Sequence, residues 1–291
     1  MYKCMLFVYM NKRILITADD IITGDKFLSL ASENITYIKT DVLVCNKPIM
    51  WRGNYNNFKK SQIWISGHSD YEITDAIYNK YKHLSKKWFA TNINLDTCKV
   101  EGVKGSSLYS SIEAIPIGHV NYCNDSIIHQ TLGSLDTIVE IMQMPKSIDI
   151  LCYMNFSINT FPQERQKVYN LFIDKKWMTT DECVPNINSR KNCLIKTRHS
   201  RFVLCPRGNG IDTHRLWETL YLGSIPIVKN HPALDNFKEL PILWIDDWND
   251  VTEDFLHKEY DRIMNIEWNL EKLTFGYWAE KIKSFCKNDS I

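Results

Sequence analysis

Residues 202–228 read FVLCPRGNGIDTHRLWETLYLGSIPIV. Two runs with the look of buried strands, 201–205 and 224–228, enclose two arginines, a histidine, a glutamate and three glycines. Pro206 removes a backbone donor and ends the first strand, while Gly208 and Gly210 permit positive φ and close approach, so the amides around Asn209 can form a concave anion nest. Asp212 is placed to cap a helix over 213–222 by accepting from a first-turn amide, and Gly223 suits the left-handed residue that ends it. On that helix Leu216, Trp217, Leu220 and Tyr221 share the face that packs on a sheet, and His214, Arg215 and Glu218 share the rim toward the loop. Strand, helix, strand is the unit of a doubly wound α/β fold, in which ligands bind beyond the carboxyl ends of the strands.

The chemistry of the segment follows from its charges. Arg207 and Arg215 at a helix N-terminus suit a diphosphate, because the guanidinium fork matches phosphate oxygens and the helix dipole adds to the attraction. Glu218, one turn deeper, is placed to accept from the hydroxyls of a sugar. The competing reading is an intrahelical Arg215–Glu218 ion pair worth about 0.3 kcal/mol. No Gly-Lys-Ser/Thr follows, which excludes a nucleotide P-loop, and no third glycine stands at the dinucleotide spacing.

The same alternation extends outward. A strand over 148–153, a helix over 162–175, a linker through CVPNINSRKN (183–192), a short helix after Pro232 and the strand PILWID complete the second half. Apolar residues at helical intervals over 259–285 predict a closing helix kinked at Gly276. In the first half RILITADD, ITYIKTDVLVC, QIWISGHSD, WFATNIN and IEAIPIGHV alternate with polar, helix-compatible stretches, which predicts a mostly parallel sheet. Pro145 follows a helix over 135–144, so the domain boundary is set there, giving domains 1–145 and 146–291.

The totals agree with two ordinary domains: 291 residues, 44% apolar and 24% charged, with a formal net charge of +1. Near-neutrality excludes a general attraction to nucleic acid or anionic membrane, so any anion must be bound by a local cluster. The 9 cysteines include no C-x-x-C pair, which predicts free thiols in a reducing compartment and a cytoplasmic protein. The apolar run 5–10 is too short for a secretory or transmembrane segment and reads as a first strand. Sequons at Asn34, Asn124, Asn155 and Asn288 do not alter that reading.

The pattern Phe202, Leu204, Pro206, Gly208, then Arg215 and Glu218, then Gly223, Ile225, Pro226 and Ile227 resembles the signature of the exostosin-like glycosyltransferases, above all the short members of bacteria and large algal viruses. Thr219 and Ser224 replace the family's usual alanine and cysteine. The upstream segment YMNFSINTFPQER resembles the opening of the donor domain in those members, so Asn155, Thr160 and Arg165 are carried over as donor-side residues. The resemblance covers residues 148–228 and only loosely the first half. It implies the GT-B architecture of two Rossmann-like domains facing a cleft, a nucleotide-sugar in the second and the acceptor in the first. It also implies inversion at the anomeric carbon without a metal or other cofactor, and no Asp-x-Asp occurs in the chain. The donor side then comprises Asn155, Thr160, Arg165, Arg207, Gly208, Asn209, Gly210, Asp212, His214, Arg215 and Glu218. The donor expected is a UDP-sugar, with xylose, galactose or a glucuronate as the sugar, and the acceptor an oligosaccharide or glycoprotein glycan.

Inversion by single displacement needs a general base facing the leaving group. WISGHSDYE offers the preferred candidates, Asp70 as base and His68 to orient it or bind acceptor, at the carboxyl end of an apolar strand. Asp19 and Asp20 in ITADD and His119 in IGHVN are alternatives, and each also reads as a strand-ending turn residue. Trp51, Trp64 and Trp88 read either as sugar-stacking platforms or as core. DDWND at Asp246 reads as a turn rather than a metal cluster. Two rivals stay open: a glycan-binding module that has lost turnover, and a kinase or phosphorylase on the same frame.

Overall fold

The computed structural model describes residues 6–9, 12–40, 61–95, 111–122, 132–182 and 186–287. Strands β1 (Leu6–Tyr9) and β2 (Lys12–Leu15) pair as an antiparallel hairpin. Helix α1 (Gly24–Leu28) starts at Thr23, whose hydroxyl accepts from the Lys26 amide. A parallel sheet follows from β3 (Ile35–Lys39), β4 (Ser61–Gly67), β6 (Ser85–Ala90) and β8 (Ile112–Ala114). Helix α2 (Asp75–Tyr81) connects β4 to β6, and the short β5 (Ile73–Thr74) and β7 (Ile93–Asn94) pair beside them. Ile63, Trp64 and Ile65 are all fully buried. That unbroken apolar run, where alternation would mark a half-exposed strand, is what a sheet covered on both faces requires.

Helix α3 (Leu135–Gln143), capped by Ser134, leads into the second half. There β9 (Ile150–Met154), α4 (Pro162–Phe172), β10 (Met178–Thr180), α5 (Ile187–His199), β11 (Ser200–Leu204), α6 (His214–Tyr221), β12 (Ile225–Lys229) and β13 (Leu243–Ile245) alternate as expected. The five strands are parallel in the order β10-β9-β11-β12-β13. Strand order reverses between β9 and β11, which makes that gap the topological switch point where a ligand crevice opens. The first sheet runs β3-β4-β6-β8 with no reversal. Loops beyond the carboxyl ends of both sheets face one cleft, so the chain has the GT-B plan of two Rossmann-like units.

Two expectations need correction. Of the linker expected at 183–192, residues 187–192 open α5: Asn186 Oδ1 accepts from the Ser189 amide at 2.9 Å, and Lys196, Arg198 and His199 sit in the last turn, where cations suit the carbonyl end. Its buried face mixes Cys193 and Leu194 with Arg190 and Arg198, which breaks the apolar period. The expected kink at Gly276 is a break further upstream, between α7 (Glu253–Met264) and α8 (Phe275–Lys287), and Gly276 lies in the first turn of α8. Of the two readings open for the tryptophans, core holds for Trp64 and Trp88, which are in edge-to-face contact at 5.4 Å with the Trp88 indole donating to Ser66 Oγ. Trp51 lies outside the described residues.

The halves share a core. One apolar cluster runs from Ile63 and Phe89 to Trp217, Leu220, Trp278 and Ile282. Helix α8 returns across the first sheet, where Phe285 meets Phe89 edge-on at 5.7 Å and Lys281 and Lys87 both pair with Glu113. Tyr221 Oη accepts from the Ile22 amide at 2.9 Å, a further tie between the halves. Among the described residues no helix is long and apolar enough to cross a membrane. Cys152, Cys193, Cys205 and Cys286 are free thiols.

Candidate functional site

A cavity of about 560 Å³ opens at the switch point, between the loop after β9, the bend after β11 and the N-terminus of α6. Its opposite wall comes from the first half, through Asp70, Ile117 and Val120. Every donor-side residue expected from the sequence lines it except Arg207, and of the two acceptor-side candidates Asp70 does and His68 does not.

The bend is built by close approach. A Cβ on Gly208 would lie 3.1 Å from Arg165 Nη2, and one on Gly210 would lie 2.8 Å from Asn92 Nδ2. Neither has the positive φ the sequence allowed for; that conformation occurs at Gly223 (φ 75), where α6 ends, and at Gly118 (φ 71). The Gly208 amide donates to Gly210 O at 3.0 Å and the Asp212 amide to Asn92 Oδ1 at 2.9 Å, so these two amides of the expected nest are already committed. Asp212 is no helix cap. Thr213 holds that position, and the Asp212 carboxylate accepts from the Ile117 amide and the Trp217 indole, each at 2.8 Å. Burial pushes its pKa up to about 7, against the pull of those donors.

The cations divide by role. Arg165 is a strut across the switch point: Nε donates to Arg207 O at 2.9 Å, Nη1 to Ser157 O at 2.8 Å and to Thr160 Oγ1, and Nη2 to Pro206 O at 3.3 Å. Arg207 is turned out of the cavity. Its guanidinium lies over the Phe161 ring and pairs with Glu72 Oε1 of the first half at 2.8 Å. Arg215, half-buried, has no carboxylate partner among the described residues. Its nearest polar contacts are Asn155 Oδ1 at 3.4 Å and Cys193 Sγ at 3.7 Å.

Glu218 makes no pair with Arg215. It is buried against Arg190 Nη2, and His119 Nδ1 stands 3.0 Å away, within ion-pair range but out of line for a hydrogen bond. Burial raises its pKa, but the Arg190 guanidinium and then His119 outweigh this and hold the carboxyl well below the usual range. The carboxylate expected to meet sugar hydroxyls therefore already has protein partners. Arg190 was hidden by the linker reading; the Asn186 cap and the basic run before β11 were the signals that reveal its helix. His214 donates from Nδ1 to Gly118 O at 2.8 Å, because a carbonyl only accepts, and burial lowers its pKa. The neutral ring leaves Nε2 as an acceptor with no partner among the described residues.

On the acceptor side Asp70 is exposed and accepts from Asn209 Nδ2 at 3.2 Å across the cleft. His68 does not orient it; that ring is held by Tyr37 Oη and by Asp25 Oδ1, the latter 3.0 Å from Nε2. Asp20 accepts from Thr17 in a turn, and Asp247 caps a short 3-10 turn. No cluster of three or more His, Cys, Asp or Glu side chains among the described residues is placed to hold a metal ion.

No family model matches this chain, and no curated protein matches it. Among solved structures it is similar to an alpha1,3-fucosyltransferase at 14% identity, covering 82% of this chain and 80% of that one with a TM-score of 0.39. It is also similar to the UDP-GlcNAc 2-epimerase of Methanocaldococcus jannaschii at 11% identity, covering 91% and 81% with a TM-score of 0.36. These values are too low for any residue to be transferred, and the chemistry of the site rests on this chain's own side chains.

Proposed function

We propose that the chain is an inverting glycosyltransferase of exostosin-like kind, moving a sugar from a nucleoside diphosphate, UDP in the first instance, to a glycan acceptor. One observation carries the reading: the half-buried Arg215 guanidinium, without a carboxylate counter-ion among the described residues, stands in the first turn of α6 beside a glycine bend at the switch point. A half-buried cation with no carboxylate beside it, at a helix N-terminus, favours an anion with several acceptor oxygens. Asp70, on the facing wall, takes the proton of the acceptor hydroxyl as its oxygen bonds to the anomeric carbon. The bond from that carbon to the diphosphate oxygen breaks, and the nucleoside diphosphate leaves toward Arg215. Xylose, galactose and a glucuronate remain the candidate sugars.

Isothermal titration with UDP tests this directly. The native chain binds, and Arg215→Ala weakens binding by about tenfold or more, the scale of one lost hydrogen bond to a charged group. No binding by the native chain, or equal binding by the variant, overturns the proposal. The glycan-binding alternative draws on the engagement of Glu218 by Arg190 and of Arg207 by Glu72. Donor hydrolysis or sugar transfer, followed by mass detection, dismisses it.

A further inference from the structure

We infer that Asn92 is a positioning residue for the transfer step: its buried amide braces the turn that carries Asp70 and ties that turn to the glycine bend across the cleft. The inference rests on the reading of Asp70 as base and of the bend as the diphosphate side, and adds what sets the separation between them.

Asn92 lies in the left-handed region, with φ 53, and is 3% exposed. Among the described residues His68, at φ 52, is the other non-glycine residue with positive φ. That conformation is unfavourable for a residue with a side chain and persists where its surroundings hold it. The two residues flank the Asp70 turn. His68 opens it just past the end of β4, and Asn92, between β6 and β7, braces it. The Asn92 carbonyl accepts from the Ile73 amide at 2.9 Å, at the far end of the turn, and Nδ2 reaches Ser69 O at 3.5 Å, next to Asp70 in the chain.

The other atom of the same amide crosses the cleft. Oδ1 accepts from the Asp212 main-chain N–H at 2.9 Å, and because that donor needs an oxygen opposite it, the amide has one orientation, with Nδ2 toward Ser69. Gly210 packs against it so closely that a Cβ there would stand 2.8 Å from Nδ2. Two further ties join the turn to the bend, Arg207 to Glu72 and Asn209 to Asp70. Both are partly open to solvent, whereas the Asn92–Asp212 bond is buried, where low-dielectric surroundings strengthen it. A base acts only within hydrogen-bond reach of the attacking hydroxyl, while the diphosphate fixes the anomeric carbon from the other wall. The separation that Asn92 spans is therefore the one on which proton removal depends.

The test is steady-state hydrolysis of UDP-xylose, UDP-galactose and UDP-glucuronate, with calorimetric titration of UDP, on the native chain, Asn92→Gly and Asn92→Asp. Water stands in for the acceptor: its oxygen bonds to the anomeric carbon, its proton passes to Asp70, and the bond to UDP breaks. Glycine keeps the positive φ and deletes both side-chain bonds. Aspartate keeps the acceptor for the Asp212 amide but sets an oxygen against Ser69 O, so one variant reports if the other fails to fold. In both, kcat falls by about tenfold or more, toward the roughly hundredfold cost of a misplacement of about 1 Å, while KM and UDP affinity stay within about twofold. In an Asp70→Asn chain, which has no base left to misplace, adding Asn92→Gly lowers kcat by less than about twofold. An unchanged kcat in either folded variant, a joint loss of kcat and UDP affinity, or an equal loss of kcat in the Asp70→Asn chain overturns the positioning role. A native chain that binds UDP and turns over none of the three donors overturns the Asp70 base and Asn92 with it, and leaves the diphosphate reading standing. Absence of UDP binding removes that reading too.

Discussion

Glu218 shows how a residue can be foreseen by position and mistaken in role. Its place on the rim of α6 is legible from spacing to Arg215 alone. Its partner Arg190 is not, because it comes from 28 residues earlier on a helix whose buried face carries two arginines. Arg190 outweighs the burial penalty and holds the Glu218 pKa below the unfolded value of about 4.3. The stability this contributes is fully present above that value and is lost as pH falls through the lower folded one. Glu218→Gln leaves Arg190 buried without its counter-charge, a loss of about 3–5 kcal/mol. Urea denaturation at pH 7 and pH 4 checks it: the variant is weaker at pH 7, and the gap to native narrows in acid. A gap that stays constant with pH contradicts the pairing. At Asp212 the sign is reversed, since burial raises its pKa to about 7 and its contribution fades as pH rises toward that value.

At the scale of elements, strand and helix order around the bend was legible because Pro206, the paired glycines and the amphipathic face of α6 are local signals. The partner of the bend was not, because it is a loop more than a hundred residues upstream. Asn92 accepts from the Asp212 amide and lies where a side chain on Gly210 would be. Gly210→Ala therefore overpacks this contact and destabilises by about 1–3 kcal/mol. Trimming the neighbour in Gly210→Ala/Asn92→Ala recovers part of the steric cost while losing the hydrogen bond. Thermal midpoints of the two single variants and the double show this as non-additivity; strict additivity contradicts direct contact. Helix α5 was missed for a related reason: its ends carry clear cap signals, but its middle lacks a continuous apolar stripe.

For the whole molecule, the repeated strand–helix alternation announces two sheets, while nothing local says that they share one core. Ile63 and Phe89 belong to the same apolar cluster as Trp217 and Trp278, and Glu113 of the first half is gripped by Lys281 of α8. Far-UV circular dichroism and tryptophan fluorescence should follow one coincident urea transition. Two separated transitions would mean that the halves fold as independent units. The return of α8 also bears on the order in which the chain is made. The ribosome releases residues 61–90 long before 275–287, yet the Phe89 ring is covered by Phe285, which lies near the end of the described chain. During translation the face of the first sheet at Phe89 must wait bare until residues 275–287 have emerged, and a nascent chain stalled before Phe275 would present that face to chaperones rather than to α8.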